Sequence, residues 1–226
     1  MAESHSVGSG LYAKPIAIPH LLNTGGFGKI LRYLHAALAE LFTPSANLIV
    51  EEYTNPKAAD VDAIRLATAC AITARTLSGS GLSGVIGGGT MTAGRNVTVT
   101  TSGSTPADAP ASVVITGMRN GEIITETLVP AGTAATVAGV KIFDKVTSIA
   151  EAAAASTDAS LSYGFGVVLG MSATIKSRAG MTFCVREIVD GGFVTTGTFS
   201  AANQSYTPAT APNDAHDYCI LYEAVP

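Results

Sequence analysis

The amino-acid sequence predicts a mainly β protein, an antiparallel β-sandwich or barrel-like fold with an extended N-terminal arm and one amphipathic helix. Short segments rich in Val, Ile, Thr and aromatic residues recur along most of the 226 residues. Gly, Asn and Asp stand between these segments, where tight turns require them. Only residues 27–42 repeat their apolar residues with the period of a surface helix.

These elements divide the chain into four predicted parts. Residues 1–26 form the arm, residues 27–60 a helix and a strand, and residues 61–172 a central β-sandwich domain. Residues 173–226 form a C-terminal β-segment. The sequence leaves open whether this segment is separate or completes the central domain, because the composition changes near 172–180.

The arm is predicted from its prolines. Pro15 and Pro19 bracket a short apolar run, and each proline disfavours helical backbone in the residue before it. The run is apolar without a helical repeat. We therefore expect the arm either to pack against its own domain or to reach a neighbouring subunit.

The predicted helix carries one apolar stripe and is too short and too polar to cross a membrane. Asn23 or Thr24 can cap its start, and Pro44 follows its end. We expect the stripe to dock on a sheet or on a partner. Six residues form it: Ile30, Leu31, Leu34, Leu38, Leu41 and Phe42.

The other predicted elements are strands. Segment 63–77 alternates with a period of two, although its alanines also permit a helix. Asn120-Gly121 predicts a hairpin, and Asp190-Gly191 predicts a second one. The strands are predicted at residues 46–54, 63–77, 95–102, 111–118, 122–130, 139–150, 161–171, 181–191, 193–200 and 217–226.

The composition predicts a surface that other protein chains cover. The chain is 47% hydrophobic but only 13% charged, with a net charge of −4, whereas charged residues make up about a quarter of typical soluble domains. A membrane is not expected, because no apolar run reaches the ~18–20 residues that span a bilayer. Secretion is not expected either, since residues 1–10 lack the basic and apolar regions of a signal peptide. No cluster of Lys and Arg is present to bind nucleic acid directly.

Residues 79–84 read GSGLSG and match the G-x-G-x-x-G pattern of dinucleotide-binding loops. Such a loop needs a helix that starts inside the motif, so that its amides meet the phosphates. Here the chain continues as VIGGGTMTAG, in which three consecutive glycines disfavour a helix. The acidic residue expected about 20 positions later is also missing. We interpret residues 79–94 as a mobile connection between strands.

No other group of residues predicts catalysis, a cofactor or a metal centre. Asp214 and His216 could hold a metal weakly, but a solvated turn explains them better. No G-x-S-x-G motif marks a nucleophilic serine. Glu51 and Glu52 are neighbours in a strand, so they point to opposite faces. Three cysteines without a CxxC pair predict reduced, buried thiols: Cys70, Cys184 and Cys219.

Several stretches of the sequence resemble a β-domain of structural proteins from tailed bacteriophages. The pattern has an R-N-V/L-T-V strand at 95–99, a V-x-I-T-G…I-T-E-T hairpin at 113–127, a K-x-F-x-x-V-T-S-I strand at 141–149 and a G-x-G-x-x-L-G strand at 164–170. The Y-T-P…A-P…D-Y run that ends at Tyr218 resembles the tail of the same proteins. The resemblance covers about 130 residues and excludes the arm and the helix. It implies a virion component and no catalytic residues.

Together these observations predict a capsid decoration (cement) protein in the virion, assembled in the cytoplasm of the host bacterium. As a homotrimer it would bind the major capsid protein on the outer surface and stabilise the shell. A head–tail connector, neck or tail component is the alternative. A carbohydrate-binding module is a second one, with Tyr163, Phe165 and Tyr206 as its candidate rings, although the chain has no Trp. The predicted interface residues are Leu11, Tyr12, Pro15, Ile16, Ile18, Pro19, Leu21, Leu22, Leu34 and Leu38.

Overall fold

A computed structural model describes residues 47–173, 177–178, 181–182, 184–189, 192–194 and 197–224. The predicted arm, the predicted helix and all ten predicted interface residues lie outside these residues. The described chain is mainly β and antiparallel, which confirms the predicted fold class. It contains two short 3₁₀ helices, Gly79–Gly81 and Pro106–Asp108.

Fifteen strands follow one another along the described chain. They are β1 (Asn47–Tyr53), β2 (Asp60–Ala69), β3 (Arg75–Ser78), β4 (Thr90–Gly103), β5 (Val113–Arg119), β6 (Glu122–Leu128), β7 (Ala135–Glu151), β8 (Ala159–Gly170), β9 (Ser177–Arg178), β10 (Met181–Thr182), β11 (Cys184–Val189), β12 (Gly192–Val194), β13 (Thr198–Ser200), β14 (Ser205–Thr207) and β15 (Tyr218–Ala224).

The strands form a nine-stranded sheet, a four-stranded sheet and a two-stranded ribbon. The large sheet runs β13-β14-β8-β4-β7-β5-β6, with β2 also paired to β8 and β3 also paired to β7. It curls into a half-barrel. The small sheet runs β1-β15-β11-β12, and β9 pairs with β10. C-terminal strands therefore enter both sheets: β13 and β14 extend the large one, and β15 lies beside β1 in the small one.

Both predicted hairpins are present. Arg119 pairs with Glu122 across a two-residue turn in which Asn120 and Gly121 have φ values of 52° and 84°. Two positive φ values are those of the type I′ turn that matches the twist of paired strands, and Asn-Gly is its preferred sequence. The second hairpin joins β11 to β12, where Val189 pairs with Gly192.

Two predictions need correction in the segment from residue 63 to residue 94. The strand predicted at 63–77 is two strands, because the chain turns at residues 70–74 and β3 pairs with β7 rather than β8. The connection predicted at 79–94 is shorter, since β4 already begins at Thr90. It also lies against β2: Gly84 N–H donates to the carbonyl of Ile64 over 3.0 Å, and Ile86 N–H donates to that of Ala63 over 2.9 Å.

The curl of the large sheet coincides with two bulges that flank Asn96. Three residues of β8 stand opposite Asn96, and three residues of β7 stand opposite its neighbour Val97. The Asn96 side chain bonds to both bulges: its Nδ2 donates to the carbonyl of Gly139 over 3.1 Å, and its Oδ1 accepts from Val168 N–H over 3.2 Å. Bulges bend and twist the strands that carry them. One buried amide thus fixes both bends.

Glu126 of β6 holds the β7 bulge from the other side. Its Oε1 accepts from the N–H groups of Val140 and Lys141, over 2.7 and 3.1 Å. A Cβ on Gly139 would lie 2.3 Å from Glu126 Oε2, so a larger residue there would have to displace the Glu126 carboxylate. The bulge therefore depends on a carboxylate from β6 and an amide from β4.

Two apolar clusters form the core. The larger fills the curl of the nine-stranded sheet and includes Ile64, Val99, Ile115, Phe143 and Leu161. The smaller joins the two sheets and is rich in tyrosine: Tyr53, Tyr206, Tyr218 and Tyr222 pack there with Leu169, Met171 and Ile220.

Candidate functional site: two apolar sheet edges

Buried charges were the first candidates for a functional site. Glu151 at the end of β7 is almost fully buried and accepts from three side chains. Arg65 Nη1 lies 3.2 Å and the Tyr163 hydroxyl 2.9 Å from its Oε1, and Arg75 Nε lies 2.7 Å from its Oε2. A buried carboxylate is tolerated when cations and donors satisfy it in this way. The cluster fixes β2 and β3 to β7 and β8.

Two groups next to Glu151 are held in their neutral form. Burial, reinforced by the charge and the hydrogen bond of Glu151, raises the pKa of Tyr163. Burial and the same negative charge raise the pKa of the Cys70 thiol. A thiolate or phenolate is the nucleophilic form, and this environment disfavours both. The cluster therefore supplies hydrogen bonds and ion pairs that hold strands together.

Arg95 is a second buried charge, in the middle of β4. Its Nε donates to the carbonyl of Gly166 over 2.9 Å and its Nη1 to that of Lys57 over 2.8 Å. The guanidinium also lies 4.8 Å from the centre of the Phe165 ring. Burial lowers the pKa of Arg95 to about 10, so the group remains cationic at neutral pH. Its partners are backbone carbonyls and a ring, which position the bulge in β8.

A cleft of about 640 Å³ with both polar and apolar lining residues lies where the two sheets meet. On one wall, Glu51 Oε1 accepts from Ser172 N–H over 2.5 Å and from the Tyr222 hydroxyl over 3.0 Å. On the other wall, Arg119 Nη1 donates to Asp144 Oδ1 over 2.6 Å. These polar groups thus already have partners within the protein. We interpret the cleft as the seam between the sheets.

Hydroxyl and thiol groups beside this cleft also remain protonated. Burial, followed by the charge of Glu51, raises the pKa of Tyr53, whose hydroxyl donates to the carbonyl of Gly170. The same two causes raise the pKa of Tyr222 to about 12. Burial and the charge of Glu52 raise the pKa of Cys219 to about 12. Tyr53, Tyr222 and Cys219 therefore keep their protons at neutral pH, as Tyr163 and Cys70 do beside Glu151.

Three alternatives from the sequence can be placed on the structure. His216 lies in a turn where its N–H donates to Asn213 Oδ1, and Asp214 pairs with Lys57 over 2.9 Å. Within the described residues, no group of His, Cys, Asp and Glu side chains could hold a metal ion. Cys70 and Cys219 are buried, as predicted, and the side chain of Cys184 lies outside the description. The three candidate sugar-binding rings are core residues: Tyr163, Phe165 and Tyr206.

The described surface has a clearer feature at two of the free edges of the large sheet, β2 and β6. Seven large hydrophobic side chains are exposed there, each by between 46% and 88% of its area. All seven lie on the first or the last strand of the run β2-β8-β4-β7-β5-β6, or on a segment next to that strand. They are Val61, Leu66, Ile72, Val85, Ile123, Val129 and Val140.

Four of the seven form what we call the β2 edge. Val61 and Leu66 are in β2, and Ile72 follows it in the turn to β3. Val85 stands between the two residues whose N–H groups bond to β2. No charged residue occurs from Leu66 to Ala74, and Leu66–Ala69 are exposed on both faces of the strand.

The other three form the β6 edge. Ile123 is in β6, Val129 follows its last residue, and Val140 donates its N–H to Glu126 of β6. The exposed face of the strand continues with Thr125 and Thr127, which are β-branched and uncharged.

Each edge has a stretch that pairs with no further strand of the described chain. At β2 this stretch starts at Leu66, because the carbonyls of Ala63 and Ile64 already accept from the segment around Val85. Within the described residues β2 pairs only with β8, and β6 pairs only with β5. Soluble proteins usually protect such edges with Lys, Pro or inward charges, because a bare apolar edge pairs with other chains. The stretch from Leu66 to Ala74 has none of these devices.

The charges near the two edges differ: β2 carries partly exposed carboxylates, whereas the β6 edge has the exposed Glu122 on β6 and two lysines on the neighbouring strand β7. Asp60 and Asp62 lie on β2, and no ion pair is described for either. Their mutual hydrogen bond, followed by burial and by the charge of Asp60, raises the pKa of Asp62. Near the β6 edge, Lys141 and Lys145 of β7 are exposed and likewise have no described ion pair. Lys141 Nζ donates only to the carbonyl of Thr125, over 2.7 Å.

Sequence reasoning did not find these edges. The alternation of apolar and polar residues in β2 and β6 predicts that both are strands. Their positions in the sheet, however, depend on pairings between distant residues. A signal was nevertheless present, since LATACAITA at 66–74 combines small apolar residues with a complete lack of charge. This stretch contributes to the overall shortage of charge that predicted a covered surface.

Comparisons with protein-family models, with curated proteins and with solved structures found no match for this chain. Within the described residues, no helix is long and apolar enough to span a membrane.

Proposed function

We propose that this chain is a structural protein of a tailed-phage virion, a capsid decoration protein that binds the major capsid protein on the outer shell as a homotrimer. The observation that carries an assembly role is the pair of free sheet edges, on or beside which all seven exposed large hydrophobic side chains of the described residues lie. Exposed apolar patches of this kind mark surfaces that bind other proteins. The phage setting rests on the resemblance in the sequence.

The residues that carry this resemblance are structural ones in this fold. The R-N pair at 95–96 fixes the bulges, and the Asn120-Gly121 turn closes the β5–β6 hairpin. They support a shared β-domain, and a β-domain alone does not specify a role. The role is argued from the low charge and the apolar edges.

The proposed mechanism is the burial of surface. Stable protein–protein contacts bury about 1,200–2,000 Å² each, and several of them around a trimer would brace neighbouring capsid subunits. The arm, with Leu11 to Leu22, is the proposed clamp on the shell. Its apolar residues and prolines suit an extended segment that lies along a neighbour.

Deletion of the arm tests the clamp. We expect a chain without residues 1–22 to lose its occupancy on purified shells, measured by quantitative mass spectrometry of pelleted particles. A matched deletion of residues 1–10, which keeps Leu11 to Leu22, should bind as the full chain does. Full decoration by the shorter chain would show that the arm is not the clamp.

Copy number per particle tests the place in the virion. A decoration protein is present in on the order of hundreds of copies, whereas a connector or neck ring has about six or twelve. The low number would overturn the decoration proposal in favour of the connector. Absence from purified particles would overturn the virion proposal altogether.

A further inference from the structure

We propose that copies of this chain bind one another edge to edge, with the β2 edge of one copy against the β6 edge of the next. This inference deepens the proposed assembly role and rests on it. It names the surfaces that form the oligomer, which the sequence had placed in the arm and the helix.

The first argument is strand pairing. An open sheet edge binds an extended strand through main-chain hydrogen bonds, and each contact requires two free edges. Every copy has a free stretch of edge at β2, from Leu66 onward, and another at β6, at the two ends of the run of six strands. When β2 of one copy meets β6 of the next, both kinds of edge are covered. A contact of this head-to-tail type repeats from copy to copy and closes into a ring when its rotation divides a full turn, as a homotrimer requires.

The second argument is side-chain chemistry. The β2 edge offers Leu66 and small residues that let another backbone approach closely. The β6 edge offers Ile123 and Val129, with threonines between them. Burying these side chains removes the exposed apolar surface that the described part of the chain otherwise leaves in water.

The third argument is charge. The carboxylates of Asp60 and Asp62 accompany the β2 edge. At the β6 edge the two lysines of the neighbouring strand β7, Lys141 and Lys145, outnumber the one exposed carboxylate of β6, Glu122. A β2–β2 contact would bring four carboxylates together, and a β6–β6 contact four lysines and two glutamates, whereas a β2–β6 contact sets the aspartates against an excess of lysine. Complementary charges therefore favour the unlike pairing and oppose the like ones.

One charged side chain on each edge tests the pairing in the full-length protein. We expect the native chain to form an oligomer at concentrations up to about 100 µM, measured by light scattering on a sizing column. Leu66→Lys and Ile123→Lys should each give the mass of a single chain. Thr54→Lys, at an exposed position on neither edge, should keep the native mass.

A mixture of the two edge variants is the decisive sample. Leu66→Lys keeps an intact β6 edge and Ile123→Lys an intact β2 edge, so the mixture should form a complex of one copy of each. Formation of that complex also shows that both variants are folded. The proposal is overturned if the native chain is monomeric, if either variant keeps the native mass, or if the mixture stays monomeric.

The outcome can be separated from that of the proposed function. These measurements use purified protein, whereas virion copy number is measured on particles. An oligomer of other than three chains that still gives the mixed pair would overturn the homotrimer and support the β2–β6 contact.

Discussion

The buried interior of the large sheet and its exposed edges distribute polarity in opposite ways. The interior contains Arg65, Arg95, Glu126 and Glu151, each less than a tenth exposed, although Arg65 and Glu126 belong to the edge strands. The edges, by contrast, expose Val85 and Ile123 by 88% and 75%. In the interior, polar groups bond to backbone and to one another where strands bend or meet. At the edges, apolar groups remain uncovered. The comparison indicates that charge inside this protein fixes shape, and the apolar surface outside it is what the proposed contact between copies would cover.

The largest expected effect is at the buried carboxylate. Glu151→Ala leaves Arg65 buried without its partner, and loss of one partner of a buried ion pair destabilises a protein by about 3–5 kcal/mol. Urea unfolding followed by circular dichroism measures the change. Glu52→Ala, an exposed glutamate on β1, should change the free energy of unfolding by no more than about 0.5 kcal/mol. Equal effects of the two substitutions would contradict the view that buried charge fixes this fold and exposed charge does not.

A smaller effect is expected at the amide that bonds to both bulges. Asn96→Ala leaves the carbonyl of Gly139 and the N–H of Val168 without this partner, and unsatisfied buried groups cost about 1–3 kcal/mol. The free energy of unfolding should fall by that amount, again measured in urea. Asn203→Ala, at a half-buried asparagine outside the bulges, is the matched control. A loss at Asn96 no greater than at Asn203 would show that the bulges do not need it.

The smallest expected effect concerns alkaline pH. Since the pKa of Tyr163 is raised in the folded chain, the unfolded chain loses this proton near pH 10 while the folded chain keeps it. Stability should therefore fall as pH rises above 10, by up to about 1.4 kcal/mol per pH unit for this group. The measurement compares urea unfolding at pH 9, 10 and 11 in the native chain and in Tyr163→Phe, which should show a shallower fall.

Other titrating groups also change the stability at alkaline pH, both in the native chain and in Tyr163→Phe. The raised pKa values of Tyr53 and Tyr222 add to the fall, and the lowered pKa of Arg95 opposes it. These contributions are common to the native chain and the variant, so the difference in slope reports Tyr163. Identical slopes would mean that Tyr163 ionises in the folded chain as readily as in the unfolded one.

The sequence predicted the fold class because its signals are local. Alternating β-branched residues and the Asn120-Gly121 turn act over a few neighbours, and the structure confirms most of the predicted strands and this hairpin. The strand predicted at 193–200 is wrong, because its two ends belong to different sheets as β12 and β13. The split between β2 and β3 was not predicted, because it depends on β3 pairing with β7 and on Arg75 reaching Glu151, 76 positions away. The bulges at Asn96 were missed for the same reason.

The candidate site was less predictable than the fold. The arm and helix residues named from the sequence remain predictions, and the mobility of residues 79–94 is also untested. The free edges depend on which strands end the sheet, which no short window of sequence reveals. What the sequence did contain was a shortage of charge, and the structure shows which large hydrophobic side chains of the described residues are exposed.

The pairing of β1 with β15 constrains the order of folding. Asn47 pairs with Ala224 and Tyr53 with Tyr218, so the first and last strands of the described chain are neighbours. On a ribosome, β1 emerges long before its partner, and the four-stranded sheet cannot be completed until residues 218–224 have been made. Contacts between such distant residues slow folding, and until they form, β1 is an unpaired strand available to other chains.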